Sequence, residues 1–188
     1  MQEHCLSEWI IQSQKGDELA FGRIVSAFQP QMFAYVFRLV GNEDDAKDMV
    51  QETFIKAWTY CKSYNTTFRF STWLYKIATH CCYDYLELRK RTTILPEDKI
   101  IALGDQWMHV DMEQQIMNKQ IATLVVQLTH HLTPKQKLVF TLKYLEGLDT
   151  DEMIFITKLS AGKVKSNLYL AKKQIRETLH KIMSDEKR

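Results

Sequence analysis

Apolar residues along this chain recur at helical spacing and almost never alternate, and that property confines the fold to packed helices. The stretch from Ser71 to Arg91 shows it most plainly, with Leu74, Ile77, Ala78, Cys81, Tyr85 and Leu88 on one face. Few residues break such patterns: the 188-residue chain holds 3 prolines and 6 glycines while 45% of it is hydrophobic. The expected class is therefore all-α. At this length two small helical domains are expected rather than one large one, since a domain under about 100 residues can still bury a working core.

Start and stop signals give the elements. Asp17 reads as the N-cap of a first helix carrying Leu19, Phe21, Ile24, Val25 and Phe28 and ending before Pro30. A second holds Met32, Phe33, Val36, Phe37 and Val40 and stops at Gly41-Asn42. The third runs from Glu43 to Cys61, and Ser71 or Thr72 caps the fourth after a polar loop. Between Thr92 and Val110 the pattern lapses around Pro96 and Gly104, which places a linker at 93–110 between domains at 10–92 and 111–184. Helices resume at Asp111–His131, at Thr133–Leu145 with Pro134 in its first position, at Thr150–Ile156 and at Ser160–Met183.

The formal charge is only +2, but it is segregated. Glu43, Asp44, Asp45, Asp48 and Glu52 face the single base Lys47, whereas Lys163, Lys165, Lys172, Lys173, Arg176 and Lys181 face only Glu177. Two differently charged partners would produce that division. The first residues have no basic stretch followed by an apolar core, and no apolar run approaches the roughly 20 residues of a membrane span, so the expected location is the cytoplasm with no membrane insertion. Cys5, Cys61, Cys81 and Cys82 lack CxxC spacing, and neighbouring residues such as His80-Cys81-Cys82 or His130-His131 diverge by about 100° on a helix. Neither metal nor cofactor is expected.

Three constellations carry chemistry. Asp44, Asp48 and Glu52 step along one helical face with Gln51 beside them; a basic partner would explain the stacked like charges, and so would a solvated surface. Tyr64, Phe68, Arg69, Phe70, Trp73, Tyr75, Lys76, His80, Tyr83 and Tyr85 then crowd rings and cations together. Trp73, Lys76, His80 and Tyr83 share the face opposite the apolar stripe, an arrangement suited to unpaired bases, while Trp73 fits equally well as a core residue. Finally, the helices from Thr150 and Ser160 have helix-turn-helix spacing. Lys163, Lys165, Ser166, Asn167 and Tyr169 would enter a major groove, with Lys172, Lys173 and Arg176 on phosphates; a helical hairpin with a lysine-rich surface has the same pattern.

Together these residues resemble the extracytoplasmic-function sigma factors, small two-domain members of the sigma-70 family of bacterial RNA polymerase subunits. Ala46-Lys-Asp48-Met-Val50-Gln51-Glu52-Thr-Phe54 resembles the family's A-x-D-L-V-Q-E-x-F core of region 2. Phe70-Ser-Thr-Trp73-Leu74-Tyr-Lys-Ile77-Ala78, with Asp84 and Arg89-Lys90-Arg91, resembles its W-L-x-x-I-A segment. Leu132-Thr-Pro134-Lys-Gln136, Glu146-Gly147-Leu148, Glu152 and Gly162-Lys-Val164-Lys165-Ser166 resemble region 4. The resemblance implies a non-enzymatic subunit that binds core RNA polymerase and directs promoter recognition and strand opening. Asp45, Asp48, Gln51 and Glu52 would dock on the β′ clamp helices, and the second domain would meet the β flap. The loop from Cys61 to Phe70, with Tyr64 and Arg69, would pocket a flipped base of the −10 element, and Trp73, Lys76, His80, Arg89 and Arg91 would line the melted non-template strand. Lys163, Lys165, Ser166, Asn167, Tyr169, Lys172 and Lys173 would take the duplex −35 element, and the linker would thread toward the RNA exit channel. An anti-sigma protein is a further implied partner.

The chain departs from the family pattern in places. His80 stands for a common asparagine, Ile154 for a small alanine, Thr157-Lys158 for Leu-Gly, and Asn167 and Leu170 for arginines. The expected −35 contact is correspondingly weakened. Two other functions fit parts of the pattern. A helix-turn-helix regulator acting without polymerase would leave the acidic face and aromatic loop unused. A nuclease built on Asp44, Asp48 and Glu52 would need carboxylates spread over about 12 Å of helix to share one ion.

Overall fold

A single 23-residue helix, Glu18–Val40, organises the first half of the protein even though Pro30 lies inside it. The computed structural model describes residues 3–92 and 124–185, and the chain divides into two units, Met1–Glu97 and Asp98–Arg188. Unit 1 contains α1 (Glu3–Gln14), α2 (Glu18–Val40), α3 (Glu43–Tyr60), a 3₁₀ turn (Cys61–Ser63) and α4 (Phe70–Thr92). No strand occurs among the described residues.

Helix α2 packs against α1, α3 and α4, and α3 also packs on α4. Ile24, Met32, Tyr35, Val36, Ala46, Ala57, Leu74 and Ala78 are fully buried between them. Two tyrosines share this core because their hydroxyls are satisfied. Tyr35 and Tyr75 meet edge to face at 4.7 Å, the Tyr35 hydroxyl lies 2.6 Å from that of Thr79, and Gln31 donates to the Tyr75 hydroxyl at 2.8 Å. The two-residue α2–α3 corner is built by Gly41, whose left-handed φ of 76° ends α2, and by Asn42, whose side chain accepts from the Asp45 N–H at 3.0 Å.

Three expectations are corrected here. The break before Pro30 does not occur: apolar residues on both sides of it, Ile24 and Phe28 before, Met32, Tyr35 and Val36 after, bury into one core. Each such burial stabilises by about 1.5–3 kcal/mol, so together they exceed the ~3 kcal/mol an internal proline costs. Helix α1 lies ahead of the first expected element; it buries Ile10 and Ser13 and packs on α2. Helix α4 starts at Phe70, with the Arg69 carbonyl accepting from Trp73 N–H at 3.1 Å, so Ser71 and Thr72 sit in its first turn rather than capping it.

Unit 2 contains α5, described over residues 124–129, α6 (Pro134–Phe140) running into a π turn (Thr141–Leu145), α7 (Thr150–Thr157) and α8 (Ala161–Asp185). The expected linker at 93–110 and the expected helix before residue 124 lie outside the described residues. Capping boxes start α6, from Thr133 and Gln136, and α7, from Asp149 and Glu152. Leu138, Val139, Leu142, Met153, Ile156, Val164 and Ala171 form the core on which α8 rests. Between α7 and α8 lies a short turn in which Lys158 adopts φ 56°, the left-handed conformation expected where the family has glycine.

Candidate nucleic-acid and protein interfaces

Most of the acidic face of α3 is neutralised within the protein. Lys47 bridges Glu43 at 2.9 Å and Asp44 at 3.8 Å, and Lys56 bridges Glu52 at 3.2 Å. Arg89 of α4 crosses to Asp45 at 3.1 Å and donates to the Tyr85 hydroxyl at 3.2 Å. Asp48 is exposed, and among the described residues no cation pairs with it. To the single base Lys47 that the sequence sets against these acids the structure adds Lys56, one turn beyond Glu52, and Arg89, 44 residues beyond Asp45.

Beside Asp48 runs a ridge that charge patterning did not single out. Ile55 is 54% exposed, and with Gln51 it lines two grooves, one on each side of α3. The groove toward α2, of about 600 Å³, is floored by Phe21, Val25, Phe33, Val50, Phe54 and Trp58. The groove toward α4, of about 470 Å³, is lined by Asp48, Met49, Glu52, Tyr85 and Leu88 among others. An apolar residue off the buried stripe of an otherwise polar helix face was the available signal.

The aromatic loop is a cluster of rings. Tyr64, Phe70 and Trp73 stand 5.1, 5.3 and 5.2 Å from one another, and Phe70 also packs on Phe28 at 5.8 Å. Phe70 is only 3% exposed, its ring packed beneath Tyr64 and Trp73. Tyr64 is half-buried, its phenol pushed up by burial and its hydroxyl donating to the Phe68 carbonyl at 3.0 Å. From α1, the Gln14 amide donates to the carbonyls of Cys61 at 3.2 Å and Tyr64 at 3.0 Å. Arg69 is exposed at the loop's end. Along α4, Trp73, Lys76, His80 and Tyr83 do share a face, but each is half-buried rather than exposed. Burial, with the Cys82 sulfur nearby, pushes the Tyr83 phenol up to about 12. Arg89 is occupied by Asp45, and Arg91 lies in the last turn of α4.

On α8, Lys163, Lys165 and Ser166 are exposed in the first two turns, which Ser160 starts by accepting from the Lys163 N–H at 3.4 Å. Asn167 is turned inward on its own helix, its amide donating to the Lys163 carbonyl at 2.8 Å. Tyr169 is 70% exposed, and Lys173 is exposed beyond it. Lys172 lies over the Tyr144 ring at 5.0 Å, held by the π turn's aromatic residue. Val164, Ala171 and Ile175 occupy the opposite, buried face, so the cations project outward as a set. Among the described residues, no three His, Cys, Asp or Glu side chains are grouped to hold a metal. No described helix is long and apolar enough to cross a membrane.

The described residues thus form an all-α pair of units, one with an acidic ridge and a ring cluster and one with a helix-turn-helix. Residues 24–92 match the model for sigma-70 region 2, and residues 122–175 match that for sigma-70 region 4. The chain is 30% identical over 178 residues to the ECF RNA polymerase sigma-E factor of Haemophilus influenzae, covering 90% of this chain and 93% of the relative. It is 28% identical over 188 residues to the ECF RNA polymerase sigma factor SigW of Bacillus subtilis, covering 94% of this chain and 98% of the relative. Its fold is similar to that of CnrH solved with the cytosolic domain of CnrY, at TM-score 0.68 and 19% identity over 94% of this chain and 97% of that one. It is similar also to the sigma factor RpoE solved with the anti-sigma factor NepR from Bartonella quintana, at TM-score 0.67 and 20% identity over 85% of this chain and 96% of that one. The chain belongs to the extracytoplasmic-function sigma factors of the sigma-70 family. It acts with RNA polymerase in promoter recognition and is not itself an enzyme; a regulator working without polymerase is not favoured.

Proposed function

We propose that the two units divide promoter recognition between them, residues 10–92 serving core binding and the −10 element, 111–184 the −35 element, and 93–110 the connection. Asp48 and Gln51, flanked by Glu52 and Asp45, dock on the β′ clamp helices of polymerase, while the second unit meets the β flap. Tyr64, Arg69, Trp73, Lys76 and His80 take the melted non-template strand, with Phe70 beneath the rings and Arg89 and Arg91 at the basic end of α4. Lys163, Lys165, Ser166 and Tyr169 face the −35 base edges, Lys172 and Lys173 the phosphates, and Asn167 contributes with the part of its amide not spent on Lys163. An anti-sigma protein is a further partner, supported by the complexes in which CnrH and RpoE were solved. As a subunit working with RNA polymerase, the protein acts in the cytoplasm.

One observation carries the core-binding assignment: along an acidic face whose other carboxylates have cations, Asp48 stands exposed without one among the described residues, next to an apolar ridge. Ionised groups left free beside exposed apolar area are what a basic partner helix covers. Asp48→Lys is expected to weaken core binding roughly a hundredfold, since like-charge juxtaposition in an interface costs several kcal/mol, with helical content unchanged. Pull-down with core polymerase measures it, and undiminished binding would show that the face is merely solvated.

A further inference from the structure

We propose that Gln14 is a positioning residue: from a helix outside the site, it fixes the ring-bearing loop and so sets base preference in the melted strand. The inference rests on the reading of that loop as a −10 contact and goes beyond it in naming what holds the loop.

Residues 64–69 connect the 3₁₀ turn to α4 without helical structure. Some bonds are internal, from Tyr64 N–H to the Cys61 carbonyl at 3.1 Å, from the Tyr64 hydroxyl to Phe68, and from Thr67 N–H to the Asn65 side chain at 3.2 Å. Internal bonds keep a loop's shape but do not fix where it stands on the domain. Gln14 does that. Its single amide nitrogen has two hydrogens, and the two carbonyls it reaches belong to residues 47 and 50 positions away, one in the turn and one at the first residue of the loop.

The donor is itself held. Gln14 is the last residue of α1, where Ile10 is buried against the bundle and the buried Ser13 hydroxyl donates to the Trp9 carbonyl at 2.6 Å. The chain then turns tightly, with Gly16 at φ 96° and Asp17 N–H bonded to the Gln12 carbonyl at 3.1 Å, directly into the N-cap of α2. A shift of the Tyr64 backbone carries its ring, and that ring touches both Phe70 and Trp73. The amide fork thus ties the ring cluster to the α1–α2 corner. Because both acceptors are backbone carbonyls, it does so whatever side chains the loop presents. A loop that pockets a flipped base tells bases apart by where its polar groups stand, and it loses discrimination when it shifts by even an ångström or so, whereas stacking on the rings tolerates any base.

Two near-isosteric variants test this. Gln14→Met keeps the length without donors, and Gln14→Glu keeps the shape but only accepts. In each, assembled with core polymerase, affinity is measured for single-stranded oligonucleotides carrying each of the four bases at every −10 position, with Arg69→Ala run alongside. The ratio of best to worst base is expected to fall about tenfold, while core binding stays near wild type and the melting temperature falls by the few degrees, roughly, that losing two part-buried hydrogen bonds costs. An unchanged ratio in both Gln14 variants overturns the proposal, and so does an equal loss on every base, which would mark a merely structural role. If Arg69→Ala flattens the preference and the Gln14 variants do not, only the positioning role fails. If Arg69→Ala leaves the preference intact, the loop does not read bases and both readings fall together.

Discussion

Lys158 shows how one residue can conflict with its backbone and still be held there. Its φ of 56° is a conformation that costs an L-residue about 1–2 kcal/mol relative to the right-handed helix. The surroundings over-determine it: Lys158 N–H bonds the Ile154 carbonyl at 2.8 Å, and the Thr157 hydroxyl accepts from Leu159 N–H at 3.2 Å while donating to Met153 at 2.7 Å. Lys158→Gly is therefore expected to stabilise unit 2 by roughly 1 kcal/mol, the relieved strain being offset in part by the greater freedom of glycine in the unfolded chain. Urea denaturation monitored by helical signal would measure it. Equal stability of variant and wild type would mean that the Thr157 bonds already absorb the strain. The sequence disclosed this position because a lysine replaces the family's glycine there; the bonds that enforce the conformation needed coordinates.

At the scale of elements, Pro30 offers the corresponding experiment. It is exposed in the middle of α2, has no N–H to give the helix, and crowds the preceding turn. Because packing already keeps α2 continuous across it, Pro30→Ala is expected to raise the stability of unit 1 by about 1–3 kcal/mol without altering the fold. Thermal unfolding should show the gain, and a loss instead would mean that the proline's geometry is needed for α2 to reach all three neighbours. The same residue explains what was legible beforehand. Periodicity gives α3, α4, α6, α7 and α8 because each has a clear apolar stripe, and caps such as Asn42 and Thr133 mark where α3 and α6 start. It split α2, since a proline signals a break locally and only tertiary burial on both sides outweighs it. It passed over α1, whose few inward residues, Ile10 and Ser13 among them, form no strong stripe. The candidate surfaces followed the same rule: their residue types were readable, but Arg89 on Asp45, Gln14 on Tyr64 and Phe70 under Trp73 join positions that spacing does not relate, or turn inward a ring that composition reads as available.

Across the whole molecule the net charge of +2 conceals a division that matters for how binding responds to salt. The acids of α3 are largely paired within unit 1, whereas Lys163, Lys165, Lys172 and Lys173 of α8 are exposed on unit 2. Lys165 and Lys173 are both exposed on α8, two turns apart, the first near the capped start and the second beyond Tyr169. If the start of α8 reads base edges, Lys165→Ala should cost about 1–3 kcal/mol on the preferred −35 sequence and flatten the preference among sequences. Lys173→Ala, on a phosphate, should weaken every promoter alike and lower the slope of log affinity against log salt by about one. The measurement is holoenzyme binding to a −35 library at several salt concentrations. Equal losses from both variants on every sequence would reduce α8 to an electrostatic anchor, and promoter choice would then fall to the loop that Gln14 holds.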